Sequence, residues 1–175
     1  MNTKYTKIAL SGTGDDTKVH LHYNEPTDGG GRQDLDLESK DAPLDSFLAA
    51  MRGMNEFVEE LLDFPTHYAT NCGVHIVSLS YKKDRLSAIL SVKKTLANGL
   101  SFNFNTPGYA EIEEGKPETE TTMSEAMREQ ISVLIAEADK YRKGERSQLG
   151  MFERGNGQAE DAGGPEETDK GSGDE

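Results

Sequence analysis

The feature that most constrains the fold is an alternation of apolar and polar residues between Val74 and Pro107. Side chains in a β-strand point to opposite faces in turn, so this alternation predicts three strands that share an apolar face. A polar turn at residues 82–85 separates the first two strands, and Ala97-Asn-Gly99 separates the last two. Because Asn-Gly accepts the positive φ that tight hairpins need, the run predicts an antiparallel meander.

One face of this meander is expected to be buried, and a half-buried sheet needs a cover. The positions predicted to share that face alternate along each strand: His75, Val77, Leu79 and Tyr81, then Leu86, Ala88, Leu90 and Val92, then Leu100, Phe102 and Phe104.

Two amphipathic segments supply the cover. Three shorter alternating segments come first in the chain, and a helix is then predicted from Ser39 or Asp41 as the N-cap to Pro65. A second helix is predicted to start at a capping box, Thr122-Met-Ser-Glu125, and to fade near Gly144. The order of three strands, a helix, three strands and a helix predicts an α+β fold. In it, an antiparallel sheet of two three-stranded meanders is covered by two helices.

The chain divides by composition into residues 1–152, predicted to form a single α+β domain, and residues 153–175. The stretch from Gly155 onward has seven acidic residues, one lysine and no large apolar residue. Such a segment cannot bury enough surface to offset the entropy lost on ordering, so a disordered acidic tail is expected.

Net charge and cysteine content narrow the function. The net charge of −13 argues against general binding to duplex DNA, which relies on Lys and Arg contacts to phosphate. The single cysteine, Cys72, cannot form an internal disulfide. No apolar run has the roughly 20 residues of a membrane-spanning helix, and residues 1–7 lack the core of a signal peptide, so a cytoplasmic protein is expected.

Residues 148–152, Gln-Leu-Gly-Met-Phe, carry the main functional hint. They resemble the peptide by which many bacterial replication and repair proteins dock on the DNA polymerase sliding clamp, which reads Gln-Leu-(Ser or Asp)-Leu-Phe. Gln148, Leu149 and Phe152 match directly, and Met151 replaces a Leu of similar volume. Gly150 departs at a position that is exposed in the family pattern. The alternative is that Leu149, Met151 and Phe152 fold back onto the domain as a C-terminal plug.

A wider resemblance points to the same context. The stretch Asn103-Phe-Asn-Thr-Pro107, the second helix and the run from Lys140 to Phe152 are similar to small proteins of phage and prophage replication or recombination modules. The resemblance covers residues 73–152 and implies action on DNA metabolism in a bacterial host.

Five basic residues could contact nucleic acid: Lys82, Lys83, Arg85, Lys93 and Lys94. Basic side chains near aromatic ones on a sheet face can hold single-stranded DNA, although charged residues at hairpin ends are also ordinary solubilising features. His20 and His22 share a strand face, but no third metal ligand has a recognisable spacing, so no metal site is predicted.

No nucleophile elbow, phosphate loop or dinucleotide fingerprint occurs in the sequence, so neither enzyme activity nor a cofactor is expected. The leading hypothesis is a non-enzymatic phage-type protein that binds the host sliding clamp, or another host replication protein, through Gln148, Leu149, Met151 and Phe152. The alternatives are an acidic DNA mimic that inhibits a host defence protein, and a single-stranded DNA-binding protein.

Overall fold

The computed structural model describes residues 3–12, 16–58, 71–83, 85–113, 115, 117–119 and 121–147. Its elements in chain order are β1 (Lys4–Ser11), β2 (Lys18–Pro26), β3 (Arg32–Ser39), α1 (Asp45–Gly53), β4 (Cys72–Lys82), β5 (Arg85–Thr95), β6 (Ser101–Asn105), β7 (Tyr109–Ala110) and α2 (Glu125–Arg142). The predicted α+β class, with a mostly antiparallel sheet and two helices, is confirmed. The predicted tail lies outside the described residues.

The strands form one sheet in the order β3-β2-β1-β4-β5-β6, and β7 pairs with β5 beyond the end of β6. All these pairs are antiparallel. The central pair, β1 with β4, is short: it matches Lys7, Ile8 and Ala9 with Ser78, Val77 and Ile76. The hairpin predicted at Asn98-Gly99 is present, since β5 pairs with β6 and Gly99 has φ of +83°.

Two β-bulges change the alternation that the sequence predicts. The register between β1 and β2 shifts between Tyr5 and Lys7, so both Tyr5 and Ile8 reach the core although they are three residues apart. The register between β4 and β5 shifts between Val74 and Ile76, so Val74 joins Val77 in the core. The prediction that His75 shares the face of Val77 is therefore wrong, because His75 is the extra residue of the bulge.

The alternation on β5 is confirmed, since Leu86, Ala88, Leu90 and Val92 are all buried. They belong to one cluster that also contains Val19 and Leu21 of β2 and the buried residues of both helices. The residues on the other face of β2, including His20 and His22, are only partly buried. The core therefore lies between one face of the sheet and the two helices.

The start of α1 differs from the prediction. The helix begins at Asp45 after Leu44, and no side chain caps it. Ser39 instead ends β3, where its hydroxyl donates to Asp41 and accepts from the Asp41 backbone N–H, both at 3.1 Å. The two candidate caps, Asp41 and Ser39, therefore form a local turn three and five residues before the N-cap position Leu44. The regular helix ends at Gly53 and residues 56–58 are helical again, while residues 59–65 of the predicted helix lie outside the described residues.

The cap of α2 also differs from the prediction. Ser124, not Thr122, is the N-cap, and its side chain accepts a hydrogen bond from the Met127 backbone N–H at 3.2 Å. Thr122 is instead bridged to Ala110 beside β7. The predicted apolar stripe of α2 is confirmed. Ile135 is partly buried against the core, and the other members are at most 1% exposed: Met127, Ile131, Leu134, Ala138 and Tyr141.

Helices α1 and α2 approach closely at Gly53. A Cβ atom at this position would lie 2.4 Å from the Gln130 side-chain nitrogen. That nitrogen donates to the Ala50 carbonyl at 2.7 Å, so the missing side chain allows a contact that ties α2 to the last turn of α1.

Helix α2 runs over both halves of the sheet. Near its start, Arg128 and Ser132 line a shallow groove with Leu86 of β5. Near its end, Asp139 accepts a hydrogen bond from Tyr5 of β1, and Arg142 pairs with Glu25 of β2. The helix therefore crosses the short central pairing of β1 with β4.

The prediction that β6 buries its aromatic residues is wrong for Phe102. Its side chain points to the helix-covered face but is 51% exposed, and Leu100 is 66% exposed. Phe104, one step further from the hairpin tip, packs against the core. The strand keeps the predicted alternation, but Phe102, which pairs with Lys94 near the hairpin tip, lies outside the core cluster.

Candidate functional site

The four residues of the predicted docking peptide, Gln148, Leu149, Met151 and Phe152, lie outside the described residues. The last described residue before them is Ser147, five residues after α2.

This residue is attached to the segment before α1. The Ser147 backbone N–H donates to the Ala42 carbonyl at 2.9 Å. The Arg146 guanidinium forms an ion pair with Asp41 and lies 4.9 Å from the centre of the Tyr141 ring. The Tyr141 hydroxyl donates to the Asp41 carbonyl at 2.6 Å. We call this set of contacts among Asp41, Ala42, Tyr141, Arg146 and Ser147 the exit latch, because it fixes the position of Ser147, the last described residue of the domain.

Buried aromatic rings of α1 and α2 support the exit latch. The Tyr141 ring is 1% exposed and meets Phe47 of α1 edge-on, with ring centres 5.8 Å apart. Burial raises the pKa of the Tyr141 hydroxyl, so it remains a hydrogen-bond donor at neutral pH. The latch is therefore anchored in the packing of α1 against α2.

The last turn of α2 carries an ion-pair network beside the latch. Arg142 pairs with Asp139 at 2.8 Å and also with Glu25, and its guanidinium lies over the Tyr23 ring. Burial pushes the pKa of the Asp139 carboxyl upward, but hydrogen bonds from Lys143 and Arg142 outweigh it and the pKa falls below its ordinary value. These cations therefore contact specific acids, in addition to the favourable helix C-terminus expected from sequence.

Glu137 is a residue that sequence reasoning missed. It is a buried carboxylate, 7% exposed, that accepts hydrogen bonds from Ser46 at 2.6 Å and from Lys140 at 2.5 Å. The hydrogen bond from Lys140, with that from Ser46, holds the pKa of Glu137 below its ordinary value. Its position three residues after Leu134, on the apolar stripe, was the available signal. Glu137 joins α1 to α2 and has the role of a structural tie.

The five basic candidates lie at two ends of the β4–β5 pair. Lys82 pairs with Arg85 at the turn, whereas Lys93 and Lys94 pair with Gly73 and Cys72 at the far end. Eight residues separate Arg85 from Lys93, which corresponds to about 26 Å along a strand. Arg85 also contacts Glu113 at 3.2 Å. Lys82, Lys83 and Arg85 are thus not brought together with Lys93 and Lys94 into one basic patch.

The two paired histidines have partners on the open face of the sheet. His20 contacts Asp36 of β3 at 2.7 Å, and His22 contacts the hydroxyl of the bulge residue Thr6 at 2.6 Å. The hydrogen bond with His20 lowers the pKa of Asp36. Among the described residues, no group of three His, Cys, Asp or Glu side chains is placed to hold a metal ion.

The edge strand β3 carries three exposed acidic residues. Asp34, Asp36 and Glu38 are all exposed and alternate with the partly buried Leu35 and Leu37. They form an acidic row along one border of the sheet, about 7 Å apart in steps of two residues.

No helix in the described part of the chain is both long enough and apolar enough to cross a membrane. In the comparisons with known proteins, no protein-family model, no curated protein and no solved structure matches the chain.

Proposed function

We propose that the protein is a non-enzymatic, phage-type binding protein that acts on bacterial DNA replication or recombination by docking on the sliding clamp through Gln148, Leu149, Met151 and Phe152. The observation that carries the proposal is the exit latch. In it, the Ser147 backbone N–H is hydrogen-bonded to the Ala42 carbonyl, and the proposed docking residues follow Ser147 directly in the sequence.

The latch suits a docking peptide for a physical reason. A short peptide binds better when less of its freedom is lost on binding, and fixing one end restricts the positions it can sample. Five residues reach at most about 17 Å in extended form, so the clamp would lie against the face that carries Asp41 and Ala42. Two apolar side chains would fill a pocket and supply most of the binding energy, as anchor residues do in small interfaces.

The test is a titration of fluorescently labelled full-length protein with a bacterial sliding clamp. We expect saturable binding that is lost in the double variant Leu149→Ala plus Phe152→Ala. The matched control is Gln158→Ala, which changes a polar residue six positions beyond Phe152 and should bind like the parent protein. Binding that survives the double variant would contradict the assignment of these anchors.

A second candidate function is inhibition of a nucleic-acid-binding host protein by an acidic surface. The acidic row of Asp34, Asp36 and Glu38 favours it, because negative charges at regular spacing attract the basic patch of such a partner. This function predicts binding that weakens as salt rises, is reduced by Asp34→Asn plus Glu38→Gln, and does not respond to changes in residues 148–152.

Binding of single-stranded DNA has less support. The separation of Lys82 and Arg85 from Lys93 and Lys94 leaves no continuous basic track for a phosphate backbone. We expect no mobility shift of an oligonucleotide at low salt, and a clear shift abolished by Lys93→Ala plus Lys94→Ala would reverse this ranking.

A further inference from the structure

The two borders of the sheet are built differently. The border at β3 carries the acidic row, and charges at an edge oppose pairing with another strand. The opposite border is formed by β6 and β7. Its β7 half is covered, because Ala110 exchanges hydrogen bonds with Thr121 and Met123. The β6 half, Ser-Phe-Asn-Phe-Asn, contains no ionisable residue, and no other strand among the described residues pairs with its outer side.

The hydrogen bonds of the hairpin show which backbone groups face outward. Leu96 N–H donates to the Leu100 carbonyl at 2.8 Å, and Thr106 N–H donates to the Leu90 carbonyl at 2.9 Å. Hydrogen-bonded pairs alternate in an antiparallel ladder, so the even-numbered residues of β6 bond to β5. The N–H and C=O groups of Ser101, Asn103 and Asn105 therefore point away from the sheet.

Apolar side chains lie beside these outward-facing backbone groups. Leu96, Leu100 and Phe102 are 41%, 66% and 51% exposed and lie on the helix-covered face of the hairpin end. Phe102 contacts Phe104, with ring centres 6.0 Å apart. An exposed apolar group beside unpaired backbone is the arrangement that takes an added strand.

We propose that β6 pairs edge to edge with β6 of a second copy of this chain, in antiparallel register about a two-fold axis at Asn103. In this register Ser101 lies opposite Asn105 of the other copy and Asn103 lies opposite its counterpart. All three outward-facing residues then form hydrogen-bonded pairs, which gives about six backbone hydrogen bonds at two per pair. Phe102 of each copy lies opposite Phe104 of the other, on the face that already carries exposed apolar area.

The distribution of charge favours β6 over β3 as the border at which two copies pair. Each chain has a net charge of −13, and β6 is a border at which two copies meet without placing acids opposite each other. The side-chain amide of Asn103 is both donor and acceptor, so it is complementary to itself across a two-fold axis. The interface is small against the roughly 1,200 Å² of a stable complex, so the dimer should be weak, on the order of 10–100 µM.

The test is sedimentation velocity of the full-length protein from about 5 to 500 µM, a range set by the expected affinity. We expect reversible dimer formation that strengthens with added salt, because salt screens the repulsion between two acidic chains. A protein that remains monomeric throughout this range at 0.15 M and at higher salt would overturn the proposal.

Charge variants on the two-fold axis make the test specific. Asn103 is exposed and its side chain lies beside Lys93 on the open face, so both Asn103→Asp and Asn103→Lys should fold, which an unchanged circular dichroism spectrum verifies. Like charges directly opposite each other weaken strand pairing, so each variant alone should dimerise at least about tenfold more weakly. An equal mixture of the two should recover dimerisation, because Asp and Lys then face each other.

The matched controls are Gln33→Asp and Gln33→Lys, which introduce the same charges at an exposed position on the opposite border strand β3. They should dimerise like the parent protein. Dimerisation that persists in both Asn103 variants, or a mixture that stays monomeric, would show that the contact does not lie on this axis and would overturn the proposal.

Discussion

The Tyr141 hydroxyl offers the sharpest test of how the exit latch is held. Tyr141→Phe removes one oxygen and keeps the ring that packs against Phe47 and Arg146. The lost group is the donor of a 2.6 Å hydrogen bond to the Asp41 carbonyl, and the ring is 1% exposed. Losing a buried hydrogen bond and leaving the acceptor unpaired costs about 1–2 kcal/mol. For a chain of this size that lowers the melting temperature by about 3–6 °C.

Tyr23→Phe is the matched control. The Tyr23 ring is 8% exposed and packs 5.6 Å from the Tyr5 ring centre, but its hydroxyl makes no hydrogen bond to a described residue. Removal of the same atom there should change the free energy of unfolding by less than about 0.5 kcal/mol. Urea unfolding followed by circular dichroism measures both variants, with equal slopes indicating an unchanged unfolding reaction. Equal stabilities of the two variants would refute the assignment of the Tyr141 hydroxyl as a structural tie.

Three further changes test other parts of the fold. Ser124→Ala removes the N-cap of α2 and should lower the free energy of unfolding by about 1 kcal/mol in urea titrations, whereas Thr122→Ala, at the residue that sequence wrongly named as the cap, should cost less. Glu137→Gln removes the charge from the carboxylate that accepts from Ser46 and Lys140, and should cost about 1–3 kcal/mol at pH 7. Because the folded pKa of Glu137 is lowered, that stabilisation is present above the unfolded pKa and is lost as pH falls through the folded one, so the two proteins should converge at acidic pH. Burial, with Lys93 nearby, lowers the pKa of His75, so the unfolded chain takes up its proton first as pH falls below about 6.5. Stability should therefore decrease between pH 7.5 and 5.5, and His75→Gln should flatten that decrease; an unchanged slope would contradict it.

The sequence predicts burial best where every second side chain of a strand faces the same environment. Leu86, Ala88, Leu90 and Val92 of β5 lie between two other strands and under the helices, and their alternation is sufficient to place them in the core. The α2 stripe from Met127 to Tyr141 is equally well predicted, because it has helical spacing and one cover.

The failures come from competition between local signals and tertiary context. Thr6 and His75 are bulge residues, and a bulge is set by the partner strand, which the sequence of one strand does not contain. Ser39 and Thr122 are both residue types that can cap a helix. Ser39 instead pairs with β2 at the end of β3, and Thr122 forms a bridge with Ala110 of β7. Phe102 alternates correctly and is still 51% exposed, because alternation gives the face on which a side chain lies but not whether that face is covered at its position.

For the candidate site, the sequence predicts a docking motif at residues 148–152, and the structure describes the contacts of Ser147, the residue directly before it. Tyr141 could be placed on the buried stripe of α2 by spacing alone. The Tyr141 hydroxyl reaches Asp41, 100 residues earlier in the chain, because α1 packs against α2. No local sequence pattern encodes that packing.

The short central pairing has a mechanical consequence. Three residue pairs join β1 to β4, whereas ten join β4 to β5, so the middle of the sheet is the line along which the ladder resists separation least. Helix α2 lies over that line, since Arg128 lines a groove with Leu86 on one side and Asp139 accepts a hydrogen bond from Tyr5 on the other. The described part of the chain ends at Ser147, five residues after α2. A partner that pulled on the chain after Ser147 would apply force first to the exit latch and to the end of α2. The side chains of α2 would then distribute that force over both halves of the sheet instead of concentrating it on one strand.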